Sequence, residues 1–269
     1  MWVHDQYTGP VGAFARVLAM RHLCLHLAVS DLRARFRRSY LGIVWVVLQP
    51  LLLTTIMSVV LVNVFRQNFV DYSVYAYSGI IGWEFISGSF NLGATSLLGA
   101  ESYLRQTRVP LIVLALKTTL HCLIVFLASL IGFAIYVAVV RPQSFSIQWL
   151  QLPGFFALAF AISLPLCAIS SIVNVKVRDF QQAINLLLLA IWYVSPVFVA
   201  REFFNKEPLA TFTYYNPAAA YMDYFRSLVM NGQVPELHTI VVLLAWTMLF
   251  WVVAIWLLRR SEESIIFYL

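Results

Sequence analysis

An all-α polytopic membrane protein with six transmembrane helices is predicted by three observations. Of the 269 residues, 61% are hydrophobic and only 11% are charged, whereas soluble domains carry about 25% charged residues. The mean hydropathy is +0.82. The apolar residues are also gathered into runs near the roughly 20 helical residues needed to cross a bilayer. A water-soluble core cannot absorb this much apolar surface, so hydrocarbon is the expected solvent. Six segments read as spans: 41–65, 73–97, 111–140, 153–174, 183–200 and 239–258. They make 41–260 a transmembrane domain between a cytoplasmic N-terminal segment, 1–40, and a cytoplasmic tail, 261–269.

Residues 12–37 are expected to form an amphipathic interfacial helix. Phe14, Leu18, Leu25, Val29, Leu32 and Phe36 repeat at helical steps. Arg33, Arg35, Arg37 and Arg38 would face anionic headgroups. No uninterrupted apolar core precedes residue 40, so the first span is expected to act as its own insertion signal.

The first span begins directly after the arginines. Trp45 and Gln49 share one face at i, i+4, and Pro50 follows. A polar and aromatic face inside a bilayer should meet protein or water. The second span is interrupted by Gly79, Gly82, Glu84, Gly88, Asn91 and Gly93. Small residues there permit close helix packing. Glu84, next to Trp83, is an intramembrane carboxylate, and such charges mark either a function or a structural partner. In the third span Lys117 lies near the cytoplasmic end and is expected to snorkel to that surface, with His121 on the same face. The fifth span is short, and Pro196 predicts a broken helix. Along it Gln182, Asn185, Leu189, Trp192 or Tyr193, and Pro196 form a stripe.

Between the last two spans lies an aromatic segment, 201–237. Asn216-Pro217 is a helix start, with Asn as cap and Pro at the first turn. Asn231-Gly232 is a stop. A short helix lying at the outer face, or re-entrant into it, is expected.

Lysine and arginine placement sets the orientation. With the N-terminus inside, twelve fall on the cytoplasmic side and five outside: Arg66, Arg141, Arg201, Lys206 and Arg226. That bias obeys the positive-inside rule and puts both termini in the cytoplasm. The pI near 9.3 is thus an orientation signal and calls for no nucleic acid. Cys24, Cys122 and Cys167 are widely spaced and read as small hydrophobes, without disulfide or metal spacing. His22 and His26 lack a third ligand nearby. No Walker A, dinucleotide fingerprint or zinc-protease motif occurs, and no catalytic constellation is visible.

Four motifs carry a resemblance. RRSYLGIVWVVLQPLL, RVPLIVLALK, VRDFQQAINLLLLAIWYVSPVF and YYNPAAAYMDYFRSLV follow in order over about residues 28–260. They resemble the membrane subunits of type-2 ABC exporters, and most closely the O-antigen, capsule and teichoic-acid permeases. The resemblance implies half a transporter: a homodimer of this chain joined to two copies of a separate ABC ATPase. ATP and Mg²⁺ would bind in that partner, and this chain would hold no cofactor. The substrate would be a lipid-linked polysaccharide, O-antigen favoured, crossing a bacterial cytoplasmic (inner) membrane among its lipids.

The same resemblance, added to the polar and aromatic residues read within the spans, gives candidate residues; at Glu84, where the family often has a neutral polar residue, the charge itself is the ground. Trp45, Gln49, Trp83, Glu84, Gln182, Asn185, Trp192 and Tyr193 are the candidate substrate channel. Ordinary interhelical packing is the alternative for these side chains. Tyr214, Tyr215, Tyr221, Tyr224 and Phe225 are the candidate outer gate. The loop 96–110 is the candidate coupling element, with Glu101 and Arg105 as an i, i+4 pair and Tyr103, Leu104 and Arg108 directed at the ATPase. Its alternative is a helix that merely connects two spans. Arg178 and Asp179, with the N-terminal arginines, form the candidate cytoplasmic interface, or else are topology charges. Rival functions are an ABC-2 exporter of a drug or other lipid and an integral-membrane enzyme acting on lipid-linked sugars. The enzyme would need clustered acids or histidines, which this sequence lacks. A secondary transporter is disfavoured by the absence of an inverted repeat.

Overall fold

The computed structural model describes residues 20–37, 39–101, 109–204, 206–261, 265 and 268. Every regular element among the described residues is helical. In chain order these are α1 (Arg21–Phe36), α2 (Val44–Phe65), α3 (Phe69–Ser96), α4 (Leu111–Val140), α5 (Leu152–Lys176), α6 (Phe180–Val194), α7 (Leu209–Tyr215), α8 (Pro217–Arg226) and α9 (Leu237–Ser261). Among the described residues, four stretches are long and apolar enough to cross a membrane: Val44–Val64, Leu111–Val140, Ile147–Lys176 and Leu237–Ser261.

The other two predicted spans depart from that pattern for different reasons. Helix α3 has 28 residues, about 42 Å at 1.5 Å per residue, so its length is ample. It is less apolar because its neighbours are protein: it packs against α2, α4, α5, α6 and α8. Helices in a bilayer gain little from apolar burial alone, so close packing and hydrogen bonds hold them together. A Cβ at Gly93 would lie 2.8 Å from the backbone oxygen of Cys167 on α5. A Cβ at Gly79 would overlap the Val197 carbonyl. Helix α6 has only 15 residues, about 22 Å against a core of roughly 30 Å. Pro196 explains the stop, because the residue before a proline is held extended: Ser195 has φ −108° and ψ 151°.

Local chemistry fixes the other ends. Gly42 has φ +52° with open space around it, and its N–H donates to Ser39 Oγ at 3.2 Å. This turn leads α1 into α2. Asn68 caps α3 by accepting from the Val70 N–H at 2.8 Å.

Helix α1 adds detail to two expectations. Phe14 and Leu18 lie outside the described residues. Of the remaining predicted stripe, Leu32 is buried against α4 together with Cys24 and Ala28, Val29 and Phe36 are half-buried, and Leu25 is 46% exposed. The small side chains of Cys24 and Ala28 allow close approach, and the Cys24 thiol donates to the Val113 carbonyl at 3.9 Å. The second concerns Lys117, whose Nζ lies 2.7 Å from Asp31 of α1. The charge is met locally, which ties α1 to α4.

The three cysteines are free and buried. Helix α8 starts as expected, with the Asn216 side chain accepting from the Ala218 N–H at 2.9 Å. After it a π-helical turn, Ser227–Asn231, ends at Gly232 with φ +59°. The helix does not lie on the surface. Tyr221, Met222 and Phe225 are fully buried and join the core around Phe126, Phe133 and Phe155.

Candidate functional site

Helices α1, α2, α3, α4 and α6 line an open groove of 860 Å³. Its wall combines indole rings with amides and hydroxyls inside an otherwise apolar bundle. From α2 come Trp45, Gln49 and Pro50, from α3 Trp83, Glu84, Ser87, Asn91 and Thr95, from α4 Lys117 and His121, and from α6 Asn185 and Trp192. Trp83 and Trp192 meet edge to face with ring centroids 5.7 Å apart. Trp45 stays 42% exposed.

Six of the eight predicted channel residues therefore surround one cavity: Trp45, Gln49, Trp83, Glu84, Asn185 and Trp192. Gln182 and Tyr193 do not line it. Gln182 is exposed, and Tyr193 is 63% exposed, with its ring 6.2 Å from Phe198. The amide that turns inward is the neighbouring Gln181. Its Nε2 donates to Asn91 Oδ1 at 2.8 Å, and its backbone N–H donates to Asn174 Oδ1 at 2.9 Å. Asn174 in turn donates to the Ala94 carbonyl at 2.9 Å, and Asn91 donates to Asn185. This ladder joins α3, α5 and α6 behind the groove. A shift of one residue on α6 is a rotation of about 100°, enough to exchange Gln182 for Gln181.

The buried cation missed in the sequence is Arg226, counted there as an outside loop charge. It is buried and occupies the gap left by the break after α6. Its guanidinium donates to Val197 O at 2.6 Å, Tyr75 O at 3.1 Å, Ser78 Oγ at 3.3 Å and Pro196 O. The guanidinium carbon lies 3.5 Å above the Tyr75 ring. Tyr75 Oη donates to Pro196 O at 3.2 Å and Val199 O at 3.1 Å, and Tyr72 Oη donates to Phe198 O at 2.9 Å. Carbonyls outside a helix need such donors at membrane depth. The bare surface at Gly79, which admits both the Val197 carbonyl and the guanidinium, was the available sequence signal.

Arg201 pairs with Asp223, and Arg141 lies 3.2 Å from Asp71, around a second cavity of 600 Å³ beside Arg226. The predicted gate aromatics are divided. Tyr214 and Tyr215 are exposed, and Tyr214 stacks on His238 at 3.8 Å. Tyr221 and Phe225 pack on Phe155 at 4.9 and 5.0 Å, with Tyr224 beside them at 5.4 Å. Among the described residues no group of three His, Cys, Asp or Glu side chains is placed to hold a metal.

No family model matches the chain. It does match an O-antigen export system permease protein RfbA of Myxococcus xanthus, with 24% identity over 245 residues, 91% of this chain and 92% of that protein. Two permeases of the same name from Klebsiella pneumoniae are 26% identical over 207 and 211 residues, each match covering 76% of this chain and 78% of the relative. The chain is similar to O-antigen export permeases along most of its length. The resemblance read from the four motifs is borne out by these relatives. Together with the four long apolar helices, they make this a multi-pass membrane protein.

Other predicted positions fall as follows. Tyr103, Leu104, Arg105, Arg108 and Arg38 lie outside the described residues, as does the side chain of Arg35. Glu101 is half-buried at the end of the turn after α3. Arg33 and Arg37 are exposed on and just after α1, and Arg178 and Asp179 are exposed in the turn between α5 and α6.

Proposed function

We propose that this chain is the permease subunit of an ATP-driven ABC exporter that moves a lipid-linked polysaccharide, O-antigen in the first instance, across a bacterial cytoplasmic membrane. The observation that carries the reading is the match to an O-antigen export permease across 91% of this chain and 92% of the relative. The groove supports it chemically. Sugars present hydroxyls to amides and C–H faces to aromatic rings, and Gln49, Asn91, Asn185, Trp45, Trp83 and Trp192 supply both around one cavity.

In this reading α2, α3, α4, α5, α6 and α9 are six spans, with both termini cytoplasmic. Two copies of the chain face each other across the groove, and two separate ATPase chains bind beneath with their ATP and Mg²⁺. The loop 96–110, with Glu101, Tyr103, Leu104, Arg105 and Arg108, transmits their movement. Arg33, Arg35, Arg37, Arg38, Arg178 and Asp179 lie along the cytoplasmic face beside it. The exposed Tyr214 and Tyr215 mark the outer exit. Helix α8 plugs the outer half of the bundle, and the donors around 195–199 keep that plug in one arrangement.

The test is co-expression with the cognate ATPase chain, purification of the complex and an ATPase assay. A stable complex is expected, and alanine at Tyr103 and Leu104 should weaken it. Failure to assemble with a nucleotide-binding chain would overturn the reading. Full assembly and coupled hydrolysis in the double alanine variant would remove those two residues from coupling.

A further inference from the structure

A small apolar core closes the end of the bundle that carries the loop 96–110. Its buried members are Leu97 just after α3, Leu111 and Leu114 at the start of α4, Ile172 and Val175 at the end of α5, and Ile265 beyond α9. Leu257 and Leu258 of α9 pack against it. Leu97 opens the loop and Leu111 follows it, so both of its ends are seated in this core. Ile265 is only 1% exposed although it lies past the last span. The tail is also pinned by Ser261, which is buried and accepts from Lys176 Nζ of α5 at 2.7 Å. With the loop on the cytoplasmic side, this end of the bundle meets water. An apolar side chain buried there gains its transfer from water, a gain that helix contacts within hydrocarbon lack.

The core continues into the groove wall. Asn174, between Ile172 and Val175 on α5, donates to the Ala94 carbonyl on α3 and accepts from the Gln181 N–H of α6, each at 2.9 Å. Gln181 donates to Asn91, and Asn91 donates to Asn185. Both asparagines line the groove. Each step from Ile265 to the groove is therefore a packed side chain, a stretch of helix or a hydrogen bond. A close-packed interior transmits strain instead of absorbing it.

We propose that Ile265 is a positioning residue for energy coupling. It locks the loop-bearing ends of α3, α4, α5 and α9 into one block, so that movement delivered at the loop 96–110 shifts the groove wall. The proposal rests on that loop being the element that receives the ATPase's movement. The test uses the full permease–ATPase complex in proteoliposomes and a cysteine in the groove. Thr95 is exposed and lines the groove. Labelling of Thr95→Cys by a maleimide is compared without nucleotide and with ATP plus vanadate, against the complex lacking that cysteine. The two rates are expected to differ. Adding Ile265→Ala should leave assembly and ATP hydrolysis in place while shrinking that difference about threefold or more, and Ile265→Val should keep most of it. In a separate complex Ile265→Cys should label far more slowly than the exposed Arg178→Cys. A full-sized difference in the Ala variant overturns the proposal, and so does labelling of Ile265→Cys as fast as Arg178→Cys. Failure of the Ala variant to assemble makes Ile265 a folding residue and has the same consequence. Equal rates in the complex that keeps Ile265 overturn the coupling reading itself, and this inference with it.

Discussion

Arg226 shows how a single side chain holds non-helical backbone inside an apolar bundle. A guanidinium has five N–H donors in a rigid fork, and here they reach Ser78 and the carbonyls of Tyr75, Pro196 and Val197. Removing it leaves several buried acceptors without partners, each costly. Arg226→Met should therefore destabilise the fold by about 3–5 kcal/mol, the range for breaking a buried charged network. Arg226→Lys should recover only part, because an ammonium cannot fork among these acceptors. Thermal unfolding in detergent, followed by tryptophan fluorescence, measures both. A wild-type melting curve for the Met variant would sink this account. None of this was legible at position 226, because its acceptors lie 29 to 151 residues away in the chain. By contrast, Trp45, Gln49 and Glu84 were legible as unusual residues, since a polar or charged side chain in an apolar run carries its cost wherever the helix packs.

Helices α3 and α6 show what periodicity can and cannot settle about an element. Their positions along the chain follow from apolar runs, caps and Pro196. Their rotation about their own axes does not. On α6 the inward amide is Gln181, and on α1 the buried face is Cys24, Ala28 and Leu32. In each case the packing partner chose the face. Small residues on α1 allow the closest approach to α4, and Asn91 and Asn174 capture Gln181. The ladder should behave as a coupled unit. A double-mutant cycle between Asn91→Ala and Gln181→Ala is expected to give a coupling energy of about 0.5–1 kcal/mol, typical of interhelical hydrogen bonds in membranes. Strictly additive losses in unfolding free energy would show that α6 is held in register by other contacts.

For the molecule as a whole, the orientation expected from charge placement is open to a direct test. With Arg226 buried, the cations that the expected outside set keeps are Arg66, Arg141, Arg201 and Lys206. The native cysteines are buried, so introduced ones can report sidedness. Gln143→Cys and Gln233→Cys, both at exposed positions, should react with a membrane-impermeant maleimide on intact cells. Arg178→Cys, exposed in the α5–α6 turn, should react only after permeabilisation. The reverse pattern would overturn the orientation and, with it, the direction of export.

The amino-acid order alone was enough for the all-helical membrane class, the order of the segments, the start of α8 and the stop at Gly232 beyond it, and the similarity to O-antigen export permeases. Those properties depend on local quantities: transfer of apolar side chains to hydrocarbon, 3.6-residue periodicity, capping groups and motif order. Contacts between distant segments depend on how each helix is turned and how deeply it inserts, and one residue of difference turns a helical face by about 100°. Only the packed bundle gathers Trp45, Trp83, Asn185 and Trp192 around one groove, pairs Lys117 with Asp31, and draws an apparent loop arginine into the core. The stretch from the arginines of α1 to Pro50 inside α2 illustrates both. Its charges mark the membrane boundary in any arrangement, whereas Gln49 and Pro50 became groove wall because α3, α4 and α6 close around them.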